Sequence, residues 1–440
     1  MLSLIKRVFS GKKSQNAEEI LKYPQGKRYY PDFHHIRKSN LDEDAVKVIN
    51  RLHQFSFKAY VVGGCVRDML LGRSPKDYDI VTNAKPNEIK KIFANSRLIG
   101  KRFKIVHIVF RGNKIIEVST ARSLPESRKM AKDNDDLLLT KDNEFGSFKD
   151  DAARRDFTIN SLFFDVRNET ILDYSGGYDD LNEKLVRIIG DENVSLPEDP
   201  VRMLRAIKFA ALLDFSLHSK LEKGIRKHRK LIRKASAPRL HEEYNKIFRT
   251  GQSYKIFEMM VKVGLYEAIF PNVTSYNEKL QPDFQTEFSK SRIAKRLMIS
   301  DRMISEHEDI NTTIYYALLL NDVVAELVFD TAPPKVLAKE IKNRIRAAET
   351  DLGLTRKESE RIVEMFVAQQ QFTKETKERK GWVQQFKNKD FFLEAFILYK
   401  INARADENDV SIQKALFWEI GLRKKLPQAI KKQRFRPLKK

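Results

Sequence analysis

Residues 60–80 read YVVGGCVRDMLLGRSPKDYDI. An apolar run, Ala59, Tyr60, Val61 and Val62, predicts a buried strand; it breaks at Gly63-Gly64, restarts as a short helix carrying Val66, Met69, Leu70 and Leu71, and stops at Gly72. A second strand follows and carries Asp77 and Asp79, separated by one residue, so that both carboxylates leave the same face of a sheet. Paired glycines at a strand-to-helix junction let the backbone approach a ligand and turn its amides toward an anion, and Arg67 falls in the first helical turn. This pattern reads as a phosphate cradle. Two carboxylates on one face repel unless a cation lies between them, and an oxygen site of this kind suits Mg²⁺, which keeps waters and substrate phosphates as its other ligands.

Working outward, 440 residues give room for two to four compact units. The 83 basic residues outnumber the 60 acidic ones by +23, a surplus whose field attracts polyanions, nucleic acid first and an acidic membrane surface second. No apolar run approaches the roughly 20 residues of a membrane span, so no membrane partner is expected. Cys65 is the single cysteine and cannot form an internal disulfide, which fits a reducing compartment and a cytoplasmic location. Residues 1–15, MLSLIKRVFSGKKSQ, are basic and free of acids, and read as a disordered arm rather than a targeting signal.

Residues 1–40 are polar and broken by Pro24, Gly26 and Pro31, and are expected to carry little packed structure. Ala45, Val46, Val48, Ile49 and Leu52 then recur at helical spacing. Pro86 opens a helix with Ile89, Ile92 and Phe93, and two strands over residues 105–110 and 115–119 are joined hairpin-fashion by Arg111-Gly112-Asn113. Residues 124–148 are charged and aperiodic, the mark of a functional or disordered loop. From about Phe209 the chain reads as helical. Within it KGIRKHRKLIRK, residues 223–234, is either a solvated basic face or an RNA track. Trp382 and Trp418 read as core. The tail from Arg423 to Lys440 has no acid and many bases, as nucleic-acid-binding tails do.

Gly-Gly, Arg67 and the Asp77/Asp79 pair resemble the head of the nucleotidyltransferase superfamily, in the class II family that contains bacterial poly(A) polymerases and CCA-adding tRNA nucleotidyltransferases. RRDFTIN, residues 154–160, is similar to that family's second motif, and the resemblance implies that Asp156 contacts ribose and that Arg154, Arg155 and Asn160 contact nucleotide. Ser161 stands where many relatives carry alanine. DYSGGYDDL, residues 173–181, resembles the third motif, a hinge. EDPVRMLRA, residues 198–206, resembles the fourth, in which Asp and Arg read the base edge. Spacing alone allows Asp199, Arg202 and Arg205 a capping and ion-pair role on one helical face. The resemblance gives them the base. Residues 237–243 loosely match the fifth motif. If the strand bearing Glu117 neighbours the one bearing Asp79, Glu117 supplies a third carboxylate, as the corresponding residue does in this family.

The resulting expectation is an α+β chain. A mixed-sheet nucleotidyltransferase head over residues 41–180 follows a basic arm, 1–40, and precedes an all-α neck, 181–275, a body and tail, 276–422, and a basic end, 423–440. Asp77, Asp79 and Glu117 are the implied holders of two Mg²⁺ ions; Gly63, Gly64 and Arg67 hold the triphosphate of ATP. Residues 98–110, LIGKRFKIVHIVF, look like the poly(A) polymerase form, so AMP transfer to RNA 3′ ends is expected, with CCA addition to tRNA as the alternative and a non-catalytic RNA binder behind both. Partners in RNA degradation or chaperoning are possible for the family.

Overall fold

The computed structural model describes residues 17–100, 104–124, 144–327, 333–374 and 380–423. The basic arm up to residue 16, most of the 124–148 loop and nearly all of the basic end therefore lie outside the described residues. The chain divides into two compact units, one comprising the residues up to Arg202 with Leu213–His228, the other Met203–Leu212 with Arg229 onward.

The first unit is built on an eight-stranded sheet in the order β1-β8-β7-β2-β3-β6-β5-β4, with β1 Lys27–Tyr29, β2 Ala59–Val62, β3 Asp79–Thr82, β4 Ser96–Ile99, β5 Ile105–Val109, β6 Ile115–Thr120, β7 Leu162–Asp165 and β8 Thr170–Asp173. Among the described strands of this sheet only β3 and β6 pair in parallel; the other pairings are antiparallel, so the sheet is mixed as expected. The helix Glu43–Gln54 starts where Asp42 accepts from the amides of Asp44 and Ala45, and it buries Ala45, Val48, Ile49 and Leu52. Its spacing forecast that face. The β5–β6 hairpin turns through Gly112 and Asn113, both at positive φ. On the sheet face that carries Val62 and Val81, a core forms from those residues with Ala152, Ala153, Phe163, Leu172 and Ile189.

Residues 17–40 correct the expectation of an unpacked arm. Leu21, Tyr29 and Ile36 are buried, and β1 adds to the sheet edge beside β8. The segment is strapped down by Asp179, whose carboxylate accepts from Lys22 Nζ (2.8 Å), Tyr23 OH (2.7 Å) and Tyr29 OH (3.1 Å). Three donors from one short segment offset the entropy of ordering it. Strand β4 was also unforeseen, because its residues are mostly exposed and show no alternation.

The second unit is helical among its described residues. Every residue from Thr313 to Leu320 is buried within the helix Thr312–Leu320; Phe248 stacks on Tyr315 of that helix and on Phe257, and Tyr266 packs edge-on against Phe270. Trp418 is core, as expected, and Trp382 stacks on Phe386 beside it.

Candidate active site

Strand β2 ends at Val62, and Gly63 then turns the chain at φ 86° and ψ −137°, a conformation that favours glycine strongly. The helix Gly64–Leu70 begins at once, with no side chain capping its first turn. A Cβ at Gly63 would lie 3.4 Å from Arg155 Nη1, 3.8 Å from the Asn160 carbonyl and 3.8 Å from Asp79 Oδ2. The turn, the DxD strand and the RRDFTIN segment thus meet at one point.

Asp79 is the first residue of β3, paired across to Val62 on one side and to Glu117 of β6 on the other. The expectation that the Glu117 strand neighbours the aspartate strand is met in register. Asp77 departs from its expected place, since it precedes the strand instead of lying on it. Beyond Val62 the chain leaves the sheet at Gly63, so Asp77 has no β2 residue to pair with. The Asp79 carboxyl is held above the usual carboxylate range by crowding of protein around it and by the charges of Glu117 and Asp77, against the opposing pull of Arg155. The tip stays open to solvent. Glu117 is half exposed and its Oε1 lies 3.3 Å from His107 Nε2. His107 is its register partner on β5.

Behind the carboxylates, two linked networks fix RRDFTIN. Arg155 donates through Nε and Nη2 to Asp151 Oδ2 (3.1 and 2.9 Å) and through Nη1 to the Asn160 carbonyl (3.4 Å). Arg67 donates through Nη1 to Asn160 Oδ1 (2.7 Å) and holds Asp68 with Nε and Nη2. Asn160 Nδ2 in turn donates to Asp156 Oδ1 (3.2 Å), which also accepts from the Phe157 amide (2.8 Å). Arg67 is 8% exposed, so its guanidinium faces Asn160 and Asp68 within the protein. At the Gly-Gly turn a Cβ on Gly63 would meet Arg155 Nη1 at 3.4 Å and one on Gly64 would meet Arg67 Nη2 at 3.5 Å, so both guanidinium groups lie beside it. Ser161 is fully buried and donates to the Ala152 carbonyl at 3.3 Å, a use for the hydroxyl that alanine lacks.

The fourth-motif residues separate. Asp199 ends the helix Glu192–Glu198, and its carboxylate and carbonyl accept from the amides of Val201 and Arg202. Arg202 is buried, with Nη1 on Ser195 Oγ (3.0 Å), Nη2 on the Arg154 carbonyl (3.3 Å) and Glu198 at 3.8 Å. It thereby ties the fourth motif to the second. Arg154 also donates to the Ser123 carbonyl at 3.4 Å. Arg205 belongs to the second unit, where it and buried Lys208 pair with Glu243. Sequence reasoning passed over Asp151 and His107. The first was detectable as an acid four residues before Arg155. The second became visible only through strand register.

Among the described residues, no group of three or more His, Cys, Asp or Glu side chains is gathered as a metal cluster. The donor chemistry still suits a hard dication: Asp77, Asp79 and Glu117 offer only oxygen, and besides the burial that chiefly raises Asp79, the charges of Glu117 and Asp77 add a repulsion that such an ion relieves.

A mixed sheet with a Gly-Gly strand-to-helix turn, acids on adjacent strands and an Arg/Asp/Asn segment beside them is the arrangement that the nucleotidyltransferase resemblance leads one to expect. Residues 59–187 match the family described as the poly A polymerase head domain, and residues 214–277 match the family described as the probable RNA and SrmB-binding site of polymerase A. Poly(A) polymerase I of Salmonella typhimurium is 39% identical over 275 residues, covering 62% of this chain and 59% of that protein. A CCA-adding enzyme of Lactobacillus helveticus is 35% identical over 245 residues, 56% of this chain and 59% of its own length. The aligned part thus spans about three fifths of these relatives. The crystal structure of the Bacillus stearothermophilus CCA-adding enzyme in complex with CTP superposes with a TM-score of 0.59 at 22% identity, covering 87% of this chain and 82% of that one. That likeness shows the fold.

Proposed function

We propose that the chain is a template-independent RNA nucleotidyltransferase that adds AMP from ATP to RNA 3′ ends, a poly(A) polymerase. The observation that carries this reading is the lateral pairing of Asp79 with Glu117 next to the Gly63 turn and Arg155. A protein that only bound RNA has no use for clustered carboxylates facing a polyanion. Asp77, Asp79 and Glu117 would hold Mg²⁺, two ions in the full reading, which when bound supplies charge neutralisation at the phosphates and a lowered pKa at the attacking hydroxyl. The chain's own groups position the substrates. The turn at Gly63-Gly64 lets the backbone meet the triphosphate, and Arg155 faces the same point with charge. Arg67 acts behind it, fixing Asn160 and through it Asp156, so that the ribose meets a carboxylate of set orientation. Asp199 remains the acceptor for an exocyclic amine, with Arg202 holding its helix start and Arg154 together. A cytoplasmic location accords with this reading, and no described helix is long and apolar enough to cross a membrane.

The match to poly(A) polymerase I supports adenylate over CCA addition. The deciding experiment incubates the protein and Mg²⁺ with an unstructured oligonucleotide and with tRNA lacking its 3′ end, each with ATP, CTP or both. Long A-tails on the oligonucleotide with ATP alone support the proposal. Addition confined to tRNA, needing CTP and stopping after three nucleotides, makes it a CCA-adding enzyme instead.

A further inference from the structure

Val62, Asp79, Glu117, His107 and Arg97 are successive register partners across β2, β3, β6, β5 and β4, one residue to a strand. Side chains paired in this way leave one face of the sheet, so the carboxylates of the candidate site continue over the next two strands into an imidazole and a guanidinium. At the usual strand spacing the row from Asp79 to Arg97 runs roughly 14 Å. Burial shows that this part of the face is open. Val106, Ile108, Ile116 and Val118 are buried on the opposite side, whereas Ile105, His107, Ile115 and Glu117, which alternate with them, keep partial or full exposure. Arg97 and Ile99 of the edge strand β4 are exposed as well. The His107 side chain is 23% exposed and that of Glu117 47%. An aliphatic floor with a cationic outer end therefore lies directly beside the acids.

In-line phosphoryl transfer brings the attacking hydroxyl in opposite the leaving pyrophosphate. The Gly63 turn and Arg155 stand at the β2 end of the row, where the proposed function puts the triphosphate. The acceptor then approaches from the β6 and β5 side. We infer that the open face of β6, β5 and β4 seats the 3′-terminal nucleotide of the acceptor RNA, with His107 and the isoleucines around it against the base and sugar and Arg97 on a backbone phosphate. Contacts of that kind hold a strand in place without reading its sequence. The inference rests on the nucleotidyltransferase reading for its direction, because that reading fixes which end of the row the triphosphate takes.

The test uses the full chain with Mg²⁺, a non-hydrolysable ATP analogue and a short oligo(A) ending in 4-thiouridine. Ultraviolet light crosslinks the terminal base, and mass spectrometry locates the adduct. It is expected on Ser96–Ile99, Ile105–Val109 or Ile115–Thr120. An adduct anywhere else, or none, overturns the inference. Steady-state kinetics with unmodified oligo(A) gives a second reading. Arg97 is exposed, so Arg97→Glu should keep the parental Tm; it should raise the KM for RNA about tenfold, since a phosphate contact becomes a repulsion, and leave the KM for ATP unchanged. Equal changes in both constants, or no change in either, count against the seat. Crosslinking needs no turnover. A protein that forms the expected adduct yet transfers no AMP to unmodified oligo(A) refutes the catalytic reading and leaves the seat standing, whereas one that transfers AMP with its adduct elsewhere does the reverse.

Discussion

Asp79 and Glu117 are lateral partners on the sheet's one parallel strand pair, with His107 directly beyond Glu117 on β5. Side chains paired across strands leave the same face, so two acids from segments 38 residues apart in sequence share one patch, and neither can be removed without changing the charge the other feels. Asp77→Asn, Asp79→Asn or Glu117→Gln should each lower nucleotide transfer at least about a hundredfold, the loss expected when a charge-stabilising ligand goes. RNA affinity in EDTA should hold or rise, since a negative charge facing a polyanion has been deleted. Single-turnover AMP incorporation beside anisotropy separates the two, and transfer at the parental rate in Asp79→Asn would sink the site.

Arg67 binds Asn160, and the proposal has it act through that contact rather than directly on ATP. Arg67→Lys keeps the charge but loses the fork that spans Asp68 and Asn160, so Asn160 and Asp156 lose their fixed orientation. The KM for ATP should rise on the order of tenfold, the value of one or two charge-assisted hydrogen bonds, with a smaller change in kcat. Steady-state kinetics over ATP concentration checks this; equal falls in kcat and kcat/KM would place Arg67 at the reacting atoms instead.

The strap on Asp179 predicts an acid response. Burial alone would raise this carboxyl, but Lys22, Tyr23 and Tyr29 hold it down at about 2 against an ordinary 3.8. A carboxylate depressed on folding contributes stability that is present in full above the unfolded value and is lost as pH falls through the folded one. Urea midpoints should therefore drop between pH 4 and pH 2 in the parent. Asp179→Asn should start lower at pH 7 and fall less over that interval, and parallel curves would show that the three donors contribute nothing.

Gly177 marks how tightly the third motif is packed. A Cβ there would sit 2.1 Å from the Thr158 carbonyl oxygen, a backbone atom of the segment that carries Asn160. Around it Asp173 accepts from the amides of Ser175, Gly176 and Tyr178, and Asp180 accepts from Thr158 Oγ1 (2.6 Å). Gly177→Ala should cost about 3 kcal/mol or more, as overpacking against backbone does, and should impair transfer through Asn160. Gly72, at φ +68° with open space around it, should cost only about 1 kcal/mol on the same change. Thermal melts of the pair test this, and similar small losses in both would mean that the turn yields freely, as a hinge does.

What the sequence determined by itself was local or motif-borne. The strand, Gly-Gly turn and helix of residues 59–70 follow from apolar runs and breakers, the amphipathic helix Glu43–Gln54 from its spacing, and the mixed sheet from the order of these pieces together with the motif resemblance. Tertiary structure alone decided which distant residues became neighbours. Strand register put Glu117 beside Asp79 and His107 beside Glu117, and no single-strand pattern encodes register between strands. It also turned Arg67 and Arg202 inward, because a guanidinium is satisfied by whatever acceptors the fold brings within reach, and Asn160, Ser195 and the Arg154 carbonyl come from other elements. The order in residues 17–40 has the same cause: a polar, proline-broken segment has no periodicity to read, and its packing depends on an edge strand and an aspartate about 150 residues away.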